Sequence, residues 1–166
     1  MLSMMSDVTE YLLLLILLPL ILVGLYGLNW FLRRPPRYRK RVDDDLSKFF
    51  KALLYDDYKS GFLTIEAPNK KRFLQFLKYK DGKEAGVQFD FPLAPWSERY
   101  ADPLKTLLHE QGVDYEVSST GNEPVTGFIT IDFEQDCAKA MGLAKLALLE
   151  VFKLRPDDRI KLYLSK

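Results

Sequence analysis

The hydrophobic pattern of the chain changes at Leu32. The 22 residues from Tyr11 to Leu32 carry no charge and are mostly Leu, Ile and Val. As a helix rising about 1.5 Å per residue, this stretch would be about 33 Å long, enough to cross a hydrocarbon core of about 30 Å. The pattern predicts one transmembrane helix over residues 11–32, preceded by a short tail over residues 1–10. That tail has no basic residue, so we do not expect a cleaved signal peptide.

After the predicted span, helical and strand periodicities alternate along the chain. A helix is predicted in "DDDLSKFFKALLYDDY", and the strands "FLTIEA", "RFLQFLKY" and "AGVQFDF" follow as an antiparallel meander. Next come a helix that begins at Asp102-Pro103 and ends at Gly112, the strands "YEVSS" and "VTGFITIDF", a long helix over residues 136–154 and the strand "RIKLYL". The order α-β-β-β-α-β-β-α-β predicts an α+β domain with helices on an antiparallel sheet.

Alternation along these strands assigns side chains to two faces of the sheet. The residues assigned to the helix-covered face are all apolar: Leu63, Ile65, Val87, Phe89, Phe91, Ile129, Ile131, Phe133, Ile160, Leu162 and Leu164. The opposite face carries aromatic residues among hydrogen-bonding ones: Phe62, Phe73, Phe128 and Tyr163 with Thr64, Gln75, Gln88 and Thr130. Such a mixture is typical of interface cores, so we expect a partner-binding face, although a second helical layer or a dimer partner could cover it.

A second candidate contact is the segment "PLAPWSERY", which interrupts the alternation after the third predicted strand. It presents Trp96 and Tyr100 between that strand and the next helix. Large aromatic side chains in a loop are candidates for contact with a partner protein.

Basic residues follow the predicted span and give its orientation. They are Arg33, Arg34, Arg37, Arg39, Lys40 and Arg41. Because Lys and Arg near the end of a span are retained on the cytoplasmic side, we expect the N-terminus outside and the domain in the cytoplasm. Residues 33–42 are expected to form a solvated linker, since Pro35 and Pro36 end the helix. The same cations could bind anionic lipid, but topology alone explains them.

Composition limits the classes of partner for residues 43–166, the predicted cytoplasmic domain. This segment holds 18 basic and 21 acidic residues, a balance that argues against general nucleic-acid binding. Cys137 is the single cysteine of the chain, so neither an intrachain disulfide nor a thiolate metal cage is expected.

Candidate chemistry is sparse. His109 has no neighbouring Ser or Cys with which to form a nucleophile–base pair. Cys137 begins a predicted helix, where amide groups would stabilise a thiolate, yet cysteine is commonly a small buried residue. The acidic groups match no EF-hand loop, and the glycines form no phosphate-binding or dinucleotide motif. We therefore expect no catalytic, metal or cofactor residues and a protein that is not an enzyme.

Parts of the domain resemble a known family. The run "SGFLTIEAP" and "KRFLQFLKYKDG", a helix ending in Gly112, a second hairpin and the helix "LALLEVFKLRPDD" are similar to the type III secretion chaperone-like domains of bacteria. In those domains a similar R-F/Y-V-Q-F strand and L-x-E-V-F helix recur. The resemblance covers about residues 44–158 and implies a protein-binding module, commonly a homodimer, without catalytic residues. To that pattern this chain adds the predicted anchor and a last strand.

These observations lead to two expectations about function. The first is a non-enzymatic, membrane-anchored adaptor or chaperone-like module that holds a protein partner at the cytoplasmic face of a bacterial inner membrane. The alternative is an accessory or assembly subunit of a larger integral membrane complex. An enzyme without a recognisable motif is a third class.

Overall fold

The computed structural model describes residues 37–56, 61–68, 72–81, 84–119 and 125–165. They belong to a compact unit that runs from Pro35 to Lys166, and a second unit comprises Met1–Arg34. The predicted tail, the predicted span and the flanking Arg33 and Arg34 lie outside the described residues. Within the described ranges, no helix has both the length and the apolar character needed to cross a membrane.

Seven strands and three α-helices make up the described part of the chain. The strands are β1 (Arg37–Arg41), β2 (Gly61–Glu66), β3 (Phe73–Asp81), β4 (Glu84–Leu93), β5 (Glu116–Ser119), β6 (Gly127–Asp132) and β7 (Arg159–Ser165). The helices are α1 (Ser47–Tyr55), α2 (Glu98–Glu110) and α3 (Cys137–Leu146), and α3 continues as one π-helical turn (Ala147–Val151).

All seven strands form one sheet in the order β1-β7-β2-β3-β4-β6-β5, with every neighbouring pair antiparallel. The predicted α+β class with an antiparallel sheet is confirmed. The predicted order of elements is also found, with one additional strand at its start.

That additional strand, β1, lies in the segment where the sequence indicates a linker over residues 33–42. It pairs with β7 along its whole length. Tyr38 packs edge-on against Phe49 of α1, with ring centroids 5.0 Å apart, and Val42 is fully buried. One inward aromatic residue among arginines is compatible with a strand at the edge of a sheet, where charged side chains remain in water. The high charge of the segment concealed this alternation.

The core lies between one face of the sheet and the helices. Helix α1 buries Phe50 against Phe76 of β3, with ring centroids 4.8 Å apart at an interplanar angle of 77°. All residues assigned from the sequence to the helix-covered face are buried except Leu164, which is partly exposed near the end of β7. The period of two along the strands therefore placed the core correctly.

Helix α3 begins at a side-chain cap and ends in a wider turn than the sequence indicates. The carboxylate of Asp136 accepts a hydrogen bond from the backbone N–H of Lys139 at 2.9 Å. The helix was predicted to reach residue 154, but its last turn is the π-helical one, and Lys153 beyond it has a φ of 55°. The predicted apolar stripe is buried: Ala140, Leu143, Ala144, Ala147, Leu148 and Val151.

Candidate protein-interaction face

The sheet face opposite the helices is called the open face. Its side chains are those that alternate with the core residues along each strand, and most are partly or fully exposed. One row of cross-strand neighbours crosses all seven strands: Arg37, Tyr163, Thr64, Gln75, Asp90, Thr130 and Glu116. The open face is thus a continuous surface in which hydrogen-bonding side chains occupy the middle.

Phe73 and Trp96 form the most prominent aromatic contact of the open face. Their rings stack with centroids 5.1 Å apart and an interplanar angle of 29°. Trp96 is 39% exposed, and Phe73 is half-buried at the start of β3. The two candidate contacts inferred separately from the sequence, the sheet face and the loop, therefore meet in one surface.

The loop that carries Trp96 is held by Ser97, which is fully buried. The Ser97 hydroxyl accepts a hydrogen bond from the backbone N–H of Ala94 at 2.9 Å and donates to the backbone carbonyl of Pro92. Because these bonds close a tight turn directly before α2, the indole of Trp96 is presented from an ordered backbone.

Phe62 and Phe128 lie on the same face but farther from the stack. Phe62 is 41% exposed and pairs with Leu77 on β3, whereas Phe128 is half-buried and pairs with Pro92 on β4. With Phe73, these side chains distribute apolar area on both sides of the polar middle row. This arrangement can bury aromatic groups of a partner and still satisfy its hydrogen-bonding groups.

The polar middle of the open face is organised around Asp90. One oxygen of its carboxylate accepts hydrogen bonds from the Gln88 amide at 2.8 Å and from the Thr130 hydroxyl at 3.1 Å. Gln75 is the cross-strand neighbour of Asp90. Carboxylate and amide groups at this position are able to accept and donate hydrogen bonds to a partner.

Tyr163 joins the polar middle to the basic edge of the sheet. Its hydroxyl donates to the Glu66 carboxylate at 2.6 Å, and the Arg37 guanidinium lies 5.5 Å from its ring centroid. The hydrogen bond to Glu66, aided by burial and by the carboxylate charge, raises the pKa of Tyr163 above its usual value. Tyr163 therefore stays neutral and remains a hydrogen-bond donor at physiological pH.

Tyr79 covers the sheet where β4 has no side chain. Its hydroxyl donates to the Asp132 carboxylate, at 2.8 Å from either oxygen, by reaching across Gly86. A Cβ atom at Gly86 would lie 2.3 Å from the Tyr79 ring, so this close approach requires glycine.

Tyr100 does not join the open face. It packs edge-on against Phe152, with ring centroids 5.0 Å apart, and thus belongs to the helical side of the domain. Lys40 also points away from the open face and lies 3.9 Å from Asp44. The remaining described flanking residues, Arg37, Arg39 and Arg41, alternate onto the open face at its β1 edge.

Arg159 and Lys161 were not singled out in the sequence, yet β7 places them beside these arginines. The register sets Arg41 opposite Arg159 and Arg39 opposite Lys161. The sequence does indicate that they lie on the open face. Because Ile160 and Leu162 in "RIKLYL" point inward, alternation turns Arg159 and Lys161 outward. Their proximity to β1 could not be foreseen without the strand pairing.

His109 and Cys137 lie on different helices of the domain. His109 is exposed in the last turn of α2, and Cys137 is half-buried with its Sγ 3.6 Å from the Phe50 carbonyl oxygen. Burial, together with the charge of Asp136, raises the pKa of the Cys137 thiol, so the helix terminus does not activate it. Within the described ranges, no group of three or more His, Cys, Asp or Glu residues could hold a metal ion.

A groove of about 760 Å³ lies between the end of α2, the end of β6 and α3. Ile131, Phe133 and Leu143 contribute its apolar lining, and Asp114 and Glu134 contribute to an acidic rim. Sequence reasoning missed this groove because its walls come from three separate elements.

Comparison with known proteins found no matching family model, no matching curated protein and no matching solved structure.

Proposed function

We propose that the protein is a non-enzymatic, single-pass membrane adaptor, with an interaction domain that holds a protein partner at the cytoplasmic face of a bacterial inner membrane. The anchor is the uncharged stretch over residues 11–32, and the interaction site is the open face. The observation that carries the proposal is the stack of Phe73 and Trp96, exposed beside a row of hydrogen-bonding side chains.

Physical chemistry favours this surface as an anchor point for a partner. Aromatic side chains dominate the energetics of many interfaces when a partner desolvates them completely. Trp96 is 39% exposed, and the adjoining Phe73 is held in the same stack. Both residues therefore have apolar area that a partner could still bury.

The polar groups around the stack would provide specificity. Asp90 already accepts two hydrogen bonds from Gln88 and Thr130, which fixes its orientation on the sheet. A partner that covered this row without matching its donors and acceptors would leave polar groups buried and unpaired, at a cost of about 1–3 kcal/mol for each. The face thus favours a partner with complementary hydrogen-bonding groups over a purely apolar one.

Affinity purification from the native membrane tests the proposal. The full chain, carrying a tag after Lys166, would be purified in mild detergent and its co-purifying proteins identified by mass spectrometry. Phe73→Ala and Trp96→Ala should each lose the same protein, because each substitution removes half of the aromatic stack. Tyr55→Ala is the matched control, since Tyr55 is 68% exposed at the end of α1 and lies outside the open face.

A high-salt wash separates the proposed adaptor from a permanent subunit of a larger complex. An adaptor should release its partner in salt, whereas a subunit of an integral complex should remain with its neighbours. Recovery of a lone monomer from the wild-type chain under gentle conditions would count against both functions.

A further inference from the structure

Five cations meet at one corner of the open face. Arg37, Arg39 and Arg41 project there from β1, and Arg159 and Lys161 project from β7. We call this set the basic corner. Four of its members are exposed and Lys161 is half-buried.

The strand register places like charges directly opposite one another. Arg39 is the cross-strand neighbour of Lys161, and Arg41 is the neighbour of Arg159. Cross-strand neighbours of the same charge repel each other and destabilise the sheet. The basic corner would therefore gain stability from any bound anion that neutralises it.

The described part of the chain compensates the charge of this corner only in part. Among the described residues, no carboxylate forms an ion pair with any of the five cations. Glu66 is the cross-strand neighbour of Lys161 and keeps its negative charge while it accepts the hydrogen bond of the Tyr163 hydroxyl, so it offsets one of the five positive charges. The carboxylate of Asp44 accepts the backbone N–H of Arg41, lies 3.9 Å from Lys40 and borders the corner, so two carboxylates face five cations.

The far end of the same face has the opposite charge. Asp90, Asp132 and Glu116 lie on β4, β6 and β5, so the open face is basic at its β1 edge and acidic toward its β5 edge. The domain as a whole is close to neutral, with 22 basic and 21 acidic residues over positions 35–166. A long polyanion such as a nucleic acid would meet repulsion as it extended beyond the corner, whereas a surface that touches the corner alone would not.

We propose that the basic corner binds the phosphodiester headgroups of anionic phospholipids and so docks the β1 edge of the domain on the membrane. This inference rests on the proposed function, since the anchor supplies the membrane. Four of the five cations are arginines, whose planar guanidinium groups bind phosphate oxygens through two parallel hydrogen bonds. Arg37 follows the predicted span by five residues, so the anchor keeps the corner within reach of the headgroups.

Docking in this way would place the protein partner next to the membrane. β3, which carries Phe73, is the third strand from β1 in the sheet, about 14 Å away at a spacing of about 4.8 Å per strand. The aromatic stack would remain available to a partner while the basic corner contacts lipid.

Amide hydrogen exchange of the full chain in lipid nanodiscs tests the proposal. The chain would be reconstituted in phosphatidylcholine alone and in phosphatidylcholine mixed with phosphatidylglycerol. Exchange in β1 and β7 should be several-fold slower in the anionic discs, because bound phosphates remove the repulsion that opens this edge. Raising the salt concentration to about 1 M, where the Debye length falls to about 3 Å, should abolish the difference.

The double substitution Arg159→Gln with Lys161→Gln distinguishes lipid binding from topology, since both residues are remote in sequence from the predicted span. In phosphatidylcholine this variant should exchange more slowly than the wild type in β1, because the like-charge pairs are gone. It should also lose the additional slowing caused by phosphatidylglycerol. Lys105→Gln with Lys139→Gln removes the same charge from two helical positions, one partly exposed and one exposed, and should retain that slowing.

Three results would overturn the proposal. The first is equal exchange of β1 and β7 in neutral and anionic discs. The second is an equal loss of the anionic-lipid effect in the control pair, which would mean that net charge alone is responsible. The third is slowing by an added acidic peptide without slowing by phosphatidylglycerol, which would assign the corner to a protein instead. None of these results would affect loss of the partner in Phe73→Ala and Trp96→Ala, so the two proposals fail independently.

Discussion

Phe73 at the start of β3 and Trp96 in the loop after β4 stack at 5.1 Å on the sheet face that the helices leave open. A stack in this position contributes to the stability of the domain and still exposes apolar area to solvent. It therefore predicts different consequences for substitutions on the two faces of the sheet.

Ile131→Ala should destabilise the domain far more than Phe73→Ala or Phe128→Ala. Ile131 is 2% exposed in the core, where truncation leaves a cavity and costs about 2–5 kcal/mol. Phe73 and Phe128 are half-buried on the open face, so water can replace part of each removed ring. Urea denaturation of the three variants measures the difference. If the two Phe variants lost as much stability as Ile131→Ala, these aromatics would belong to a second core layer.

Substitution of two glycines by alanine should change the stability of the domain in opposite directions. Gly86→Ala forces the Tyr79 ring away from Asp132 and should cost about 1–3 kcal/mol, as overpacking does. Gly142 lies inside α3 with no atom within 4 Å of the added Cβ, so Gly142→Ala should stabilise the domain by about 0.5–1 kcal/mol. Thermal melts of the pair test this expectation. Unchanged or increased stability of Gly86→Ala would contradict the close approach of Tyr79 to β4.

The faces of the sheet could be predicted from the sequence, whereas contacts between distant segments could not. Alternation assigned Phe73 and Ile131 to opposite faces because side chains along a strand have a strict period of two. The stack of Phe73 on Trp96 depends on the path of a loop that Ser97 closes, and no periodicity describes such a path. The neighbours Arg39 and Lys161 are 122 positions apart, and their meeting depends on a strand pairing that periodicity does not determine.

Strand β1 shows a further limit of pattern reasoning. Its five residues read as a linker because four of them are basic, but Tyr38 alone gives the strand an inward contact on Phe49. Charge density describes how a segment interacts with water. It does not exclude pairing at a sheet edge, where one face of the strand remains solvated.

The stability of the domain should depend on the ionisation of Asp136. Its carboxylate accepts the backbone N–H of Lys139 at the start of α3, and this hydrogen bond lowers its pKa below the usual value of 3.8. Because the folded-state pKa is the lower one, the ionised form stabilises the fold fully above pH 3.8, and this stabilisation is lost as the pH falls through the folded-state pKa.

Asp136→Asn removes the charge but keeps a side chain that can cap the helix, so it measures what the ionisation contributes to stability. The wild type should be more stable than the variant near neutral pH, and the difference should shrink in acid. Denaturation of both proteins over a series of pH values measures it. A difference that stayed constant into acid would show that the charge of Asp136 does not contribute.

The orientation of the predicted anchor leads to a separate expectation. Basic residues follow the span and none precedes it, so the end of the chain should lie in the cytoplasm. A reporter that is active only in the cytoplasm should be active when fused after Lys166. Activity of a periplasmic reporter at that position would reverse the orientation.

Site-specific photo-crosslinking in the native membrane tests the central proposal most directly. A photoreactive phenylalanine derivative, which keeps an aromatic ring in the stack, would replace Trp96 on the open face or, as a control, Tyr55 on α1. We predict one defined crosslinked protein from position 96, its loss when Phe73→Ala is added, and no such product from position 55. Identical products from both positions, or no product from position 96, would contradict a partner-binding role for the open face.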